Sequence, residues 1–103
     1  MLRSLAYATA AAQSAVRPGP DAAEHAARIA AYGNKMSLVF SQAYSSAIHG
    51  CAAYPDSREA ADQLLRLFLL EKALYEVAYE LANRPDWVQI PLRGVLELMA
   101  ERA

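Results

Sequence analysis

Proline divides this chain of 103 residues into long runs of good helix formers, and that division constrains the fold more than any other feature. The breaks fall at Arg17-Pro18-Gly19-Pro20, at Tyr54-Pro55 and at Asn83-Arg84-Pro85-Asp86. Proline removes a backbone donor and fixes φ, so helices usually end where it occurs. No alternating apolar run indicates a strand. We therefore predict an all-α fold, a small bundle of about four helices in a single domain over residues 1–103.

The predicted helices span residues 1–16, 21–53, 57–82 and 91–102. Two of the helix starts show the spacing of a capping box, namely Asp21 with Glu24 and Asp56 with Glu59. Pro91 suits the first position of the last helix. Gly33 and Asn34 lower the helix propensity in the middle of the second helix, which leaves a continuous helix and a break near 33 both open.

The third helix carries two different faces. Spacings of three and four alternate along an apolar stripe, which we predict to face the core and which comprises Leu67, Leu70, Leu74, Val77 and Leu81. A polar stripe opposite the leucines comprises Lys72, Tyr75, Glu76, Tyr79 and Asn83. Tyrosines beside a lysine, a carboxylate and an amide offer the stacking surface, donors and acceptors that a sugar-binding face needs. The alternative is a solvated face on which Lys72 pairs with Glu76.

A charged and aromatic corner follows the polar stripe. It consists of Arg84, Asp86 and Trp87, the last being the only tryptophan in the chain. Trp87 would either plug the junction between the last two helices or line a ligand pocket, and both alternatives stay open.

Composition disfavours several classes of function. A formal net charge of −1, with scattered Lys and Arg, leaves no field to attract phosphate backbones, so we expect no nucleic-acid binding. No apolar run approaches the roughly 20 residues of a membrane span, so we expect no membrane association and a cytoplasmic location. The single cysteine and the two histidines lack metal-ligand spacing, and no glycine-rich phosphate loop or nucleophile elbow is present. We expect no catalytic residue, metal or cofactor in this chain.

The run at residues 68–94 reads FLLEKALYEVAYELANRPDWVQIPLRG, and it closely resembles the C-terminal signature of maltokinases, including those fused to trehalose synthase. The opening Met1-Leu2-Arg3-Ser4-Leu5, followed by Tyr7-Ala8, is similar to a segment a short way beyond the metal-binding acidic motif of that family. The resemblance covers most of the chain, although residues 17–60 match only loosely.

This resemblance implies the helical end of a kinase C-terminal lobe with an aminoglycoside-phosphotransferase-like fold. Members of the family use ATP and magnesium to convert maltose into maltose 1-phosphate for α-glucan synthesis, and their catalytic groups lie upstream of the matched part. The expected role is therefore that of a non-catalytic fragment that helps to wall the maltose pocket. The positions that the resemblance assigns to the sugar are Lys72, Tyr75, Glu76, Tyr79, Arg84 and Trp87.

A different role, that of an oligomerisation or protein-interaction module, stays open beside the sugar-pocket role. Apolar faces that a missing kinase lobe would cover in the parent family are available to a second copy of the chain. The expected partners are therefore maltose or a related glucoside, and either a homo-oligomer or the missing lobe.

Overall fold

The computed structural model describes residues 1–101, and over that range the secondary structure is entirely helical. The helices are α1 (Leu2–Ser14), α2 (Ala22–Ile48), α3 (Arg58–Asn83) and α4 (Gln89–Ala100), with a short 3₁₀ helix (Pro85–Trp87) between α3 and α4. The predicted all-α class and the number of helices are confirmed. None of these helices combines the length and the apolar character that crossing a membrane requires.

The chain forms two compact units, one over Met1–His49 and the other from Gly50 onward. Each unit contains one pair of helices, α1 with α2 in the first and α3 with α4 in the second. The single domain over residues 1–103 stays a prediction.

In the first unit, α1 packs against α2 along a stripe of half-buried residues. On α2 these residues recur every three or four positions, at Ala26, Ile29, Gly33, Met36 and Phe40. Two contacts fix the pairing: Gln13 Nε2 donates to the carbonyl oxygen of Ala26 at 3.4 Å, and Thr9 packs against Gly33. Helix α2 is continuous through Gly33, so of the two alternatives at this glycine the continuous helix is confirmed.

Helix α2 ends earlier than the sequence suggested. Its last residue is Ile48 rather than a residue near Ala53. Gly50 has a φ of 84°, the left-handed conformation in which glycine commonly terminates a helix. The extension of the second helix to residue 53 is therefore wrong, because the backbone leaves the helical region at His49 (φ −55°, ψ 131°) and continues into the left-handed Gly50.

The two predicted capping boxes are also wrong. Asp21 is the N-cap of α2 but makes no side-chain cap hydrogen bond, and Glu24 instead pairs with Arg28 at 2.9 Å. The backbone of Asp21, at φ −98° and ψ 3°, lies outside the extended region from which an N-cap side chain reaches the helix amides. The N-cap of α3 is Ser57, whose Oγ accepts a hydrogen bond from Ala60 N at 3.0 Å.

The remaining helix ends differ from the predicted ones by about two residues. Helix α1 covers Leu2–Ser14, and α4 begins at Gln89 rather than at Pro91. Pro91 is tolerated inside the first turn because the first amides of a helix have no carbonyl partner within it. Residue 102, the last of the predicted helix, lies outside the described residues.

In the second unit, the face of α3 that packs against α4 is not the predicted leucine stripe. The residues that are buried lie elsewhere: Ala61, Ala73 and Glu80 on α3, and Pro91, Gly94 and Leu98 on α4. Leu67, Leu74 and Leu81 are 58%, 53% and 59% exposed. The core assignment of these three leucines is therefore wrong, because small residues and the buried Glu80 side chain occupy the contact face of α3.

An arginine links α3 and α4 at the end of the pair opposite the turn that joins them. Arg66 of α3 donates a hydrogen bond to the carbonyl oxygen of Leu98 in the last turn of α4, and its Nε lies 3.9 Å from Glu101 Oε2. A cation is favoured there because the carbonyls of the last turn carry partial negative charge. The contacts of Arg66 hold the two helices together at one end of the pair, and the turn around Trp87 holds them together at the other.

Candidate functional site

The six residues that the sequence assigned to the sugar all lie in the second unit. Lys72, Tyr75, Glu76 and Tyr79 belong to α3, Arg84 is its C-cap, and Trp87 closes the 3₁₀ helix. Glu76 is half-buried and the other five are exposed. The structure groups five of them into two clusters.

The first cluster is centred on Lys72 and Tyr75. The Lys72 ammonium nitrogen lies 5.3 Å from the centroid of the Tyr75 ring, within range of a cation–π interaction. These two residues line an open hollow on the surface of α3 together with Phe68 and Glu71. The hollow therefore offers two aromatic rings, one cation and one carboxylate.

The second cluster is centred on Arg84, whose guanidinium is held by Glu80. Arg84 Nε lies 3.0 Å from Glu80 Oε1, and Arg84 Nη2 lies 3.0 Å from Glu80 Oε2. This two-point geometry is the strong form of an arginine–carboxylate pair. The Glu80 side chain is fully buried, whereas the Arg84 side chain is 45% exposed.

Two aromatic rings flank the same guanidinium. Its central carbon lies 4.2 Å from the centroid of the Trp87 ring and 5.9 Å from that of the Tyr79 ring. Trp87 is 38% exposed, so it neither plugs the junction completely nor projects freely into solvent. Tyr79, Arg84 and Trp87 thus form one exposed corner whose base is the buried carboxylate.

The local sequence explains how this corner forms. Glu80 and Arg84 are four residues apart, so both lie on one side of the last turn of α3. Pro85 then begins the 3₁₀ helix, in which Trp87 N donates to the carbonyl oxygen of Arg84 at 2.8 Å. The indole is therefore brought back over the arginine that precedes the proline.

Sequence reasoning missed three residues of these clusters: Phe68 and Glu71 in the hollow, and Glu80 under the corner. The i,i+4 spacing of Glu80 and Arg84 was a usable signal, but helical periodicity alone did not reveal that the Glu80 carboxylate is buried. Asp86, which the sequence placed in the corner, is exposed.

Chemically, the two clusters suit a neutral polyhydroxylated ligand. Exposed aromatic rings can stack on the apolar faces of a sugar, while lysine, arginine and carboxylate groups exchange hydrogen bonds with its hydroxyls. Among residues 1–101, no group of three or more His, Cys, Asp and Glu side chains is arranged to hold a metal ion. No protein-family model matches the chain, and no solved structure matches it at a significant level.

Proposed function

We propose that this chain is the helical C-terminal part of a maltokinase-like sugar kinase and that α3 forms part of the wall of its maltose pocket. The resemblance of residues 68–94 to the maltokinase signature carries the proposal. The geometry that supports it is the exposure, on one side of α3 and the turn that follows, of Lys72, Tyr75, Tyr79, Arg84 and Trp87.

In the proposed parent reaction, ATP and Mg²⁺ phosphorylate maltose to maltose 1-phosphate in the cytoplasm. Because the resemblance places the catalytic groups upstream of the matched part, we assign no phosphoryl-transfer step to the residues of this chain. Their part in the proposal is to bind and orient the sugar. The chain by itself is expected to produce no maltose 1-phosphate.

The packing of the second unit is consistent with a pair of helices that belongs to a larger protein. Helix α3 is covered by α4 on one face, while leucines are exposed along another. A helix that packs on one face and exposes leucines along a second is typical of an element that contacts further parts of a larger domain. In the proposed parent, the rest of the kinase lobe would cover these leucines.

The experiment that tests the proposal is isothermal titration of the purified chain with maltose. Lys72→Ala and Tyr79→Ala are each expected to weaken binding by about tenfold, the effect of losing one good polar or stacking contact. The chain offers matched controls in Lys35→Ala and Tyr32→Ala, which remove the same side chains from exposed positions of α2. Equal losses in the control variants, or no heat from the unaltered chain at millimolar maltose, would count against a maltose wall.

The exposed leucines also favour a second candidate function, that of an oligomerisation or protein-interaction module. Leu67, Leu74 and Leu81 recur every seven residues and are each more than half exposed. Leucines at heptad spacing on a solvent-facing helix are typical of a seam that packs on another helix. A chain that self-associates and ignores maltose would support this second function.

A further inference from the structure

Glu80 is the one charged side chain that is fully buried among the described residues. An ionised carboxylate is costly to bury unless a cation and hydrogen bonds replace its water. Arg84 supplies both at two points, through Nε and Nη2. Replacing a buried ion pair by apolar residues is often neutral or stabilising, so stability alone is a weak reason for the pair.

The geometry of the pair gives it a second effect, on orientation. Two parallel N–H···O contacts fix the plane of the guanidinium, which a single contact would leave free to rotate. The central carbon of the guanidinium lies 4.2 Å from the Trp87 ring centroid. Backbone bonds add to the constraint, because Arg84 N donates to Glu80 O at 2.7 Å and Trp87 N donates to Arg84 O at 2.8 Å.

We propose that Glu80 is a positioning residue, which holds the Arg84 guanidinium on the Trp87 indole and so fixes the exposed corner that meets the sugar. The proposal deepens the proposed function and rests on it for the identity of the ligand. The carboxylate itself is buried and acts through Arg84, whereas Arg84 and Trp87 are the groups that reach solvent. A preset guanidinium and indole lose less conformational entropy when a ligand docks.

The first test uses Trp87, the only tryptophan, as a built-in reporter. Glu80→Gln keeps the size of the side chain but leaves one acceptor oxygen and no charge, so the two-point contact is lost. In the full chain we expect the acrylamide quenching constant of Trp87 to rise about twofold as the guanidinium leaves the ring face. The matched control is Glu97→Gln, the same change at an exposed position of α4, and it should leave quenching unchanged.

A second variant separates positioning from general stability. Arg84→Lys keeps the charge but has no planar fork, so it should raise the quenching constant as much as Glu80→Gln does. The double variant should add little to either single change, because both remove the same contact. Far-UV circular dichroism, recorded at a temperature well below unfolding, verifies that the helices remain. Unchanged quenching in folded Glu80→Gln would overturn the proposal, whether or not Arg84→Lys raises the quenching constant.

Titration with maltose distinguishes failure of this inference from failure of the proposed function. If the unaltered chain binds maltose, we expect Glu80→Gln to weaken binding about tenfold, although Glu80 is buried and out of the sugar's reach. Full maltose affinity in the Glu80→Gln variant would overturn the positioning role. If the unaltered chain binds no maltose, the proposed function fails, and the quenching result alone decides whether Glu80 holds the corner.

Discussion

Gly33 of α2 faces Thr9 of α1 so closely that the Thr9 side chain leaves no room for a Cβ atom at position 33. A Cβ atom added at Gly33 would overlap the Thr9 hydroxyl oxygen and would lie 3.1 Å from Cγ2 and 3.3 Å from Cβ of the same residue. The hydroxyl is itself engaged, since Thr9 Oγ1 donates to the carbonyl oxygen of Leu5 at 2.8 Å. The glycine therefore serves close packing of two helices, and α2 runs through it without a break.

We expect Gly33→Ala to destabilise the first unit by about 1 kcal/mol. Overpacking costs roughly 1–3 kcal/mol, and the gain of about 1 kcal/mol in helix propensity offsets only part of that. Thermal unfolding followed by circular dichroism measures the effect. Adding Thr9→Ala should restore most of the loss, because it removes the hydroxyl and the methyl group that the new Cβ meets.

The matched control for this change is Gly19→Ala. Nothing lies within 4 Å of a Cβ built at Gly19, so this variant should unfold within about 0.5 kcal/mol of the unaltered chain. A Gly33→Ala chain that is more stable than the unaltered one would show that propensity outweighs the contact with Thr9.

The two helix starts that looked alike in the sequence are expected to respond differently to loss of their caps. Ser57→Ala should cost about 1 kcal/mol, because it removes the acceptor for the Ala60 amide. Asp21→Ala should change the free energy of unfolding by less than about 0.5 kcal/mol, since this carboxylate caps no amide. Chemical denaturation of both variants gives the comparison, and equal losses would mean that Asp21 does cap α2.

Features that follow from helix breakers and from helical periodicity were predictable from this sequence, whereas contacts between helices were not. The helices were predictable because prolines at 18, 20, 55 and 85 separate long runs of helix formers. The stripe of aromatic and charged residues on α3 was predictable from the angle between successive residues of a helix. Periodicity states which residues share a face, but it does not state which face a neighbouring helix covers.

That limit explains the two main errors on α3. Leucine ranks above alanine among the residue types that are most often buried, yet Ala73 is fully buried while Leu74 is exposed. The contact face is set by the small residues of both helices and by the burial of Glu80, and the pattern of one helix does not show which of its residues a second helix covers. The same gap hid Glu80, because a charged residue on a helix is usually solvated.

Substitutions at Ala73 and Leu74 test whether alanine rather than leucine lies in the core of the second unit. Ala73→Leu should destabilise the second unit by about 1–3 kcal/mol, because the added atoms have no space between α3 and α4. Leu74→Ala should cost less than about 1 kcal/mol, well below the roughly 2–5 kcal/mol of a buried leucine. Ala78→Leu, at an exposed position of the same helix, is the control for the first change. Urea unfolding of the three variants reports the ranking, and a larger loss in Leu74→Ala than in Ala73→Leu would restore the leucines to the core.

The exposed leucines of α3 lead to an expectation for the purified chain. Leu67, Leu74 and Leu81 place an apolar seam about 21 Å long on the helix surface, from 14 residues at 1.5 Å each. Because water exposure of such a seam is unfavourable, we expect the chain to self-associate at micromolar concentrations. Light scattering coupled to size-exclusion chromatography measures the mass directly.

Leu74→Glu, alone or with Leu81→Glu, should shift the mass of the chain toward that of a monomer, because each change places a charge within the apolar contact. Leu65→Glu is the matched control: Leu65 is also partly exposed, at 40%, but it lies outside the heptad seam. If Leu74→Glu and the double variant with Leu81→Glu keep the oligomer as the Leu65→Glu control does, the seam is not its interface. If the Leu74→Glu monomer binds maltose as well as the unaltered chain does, maltose binding does not depend on self-association. If neither the Leu74→Glu variant nor the unaltered chain binds maltose, the seam favours the interaction module over the sugar wall.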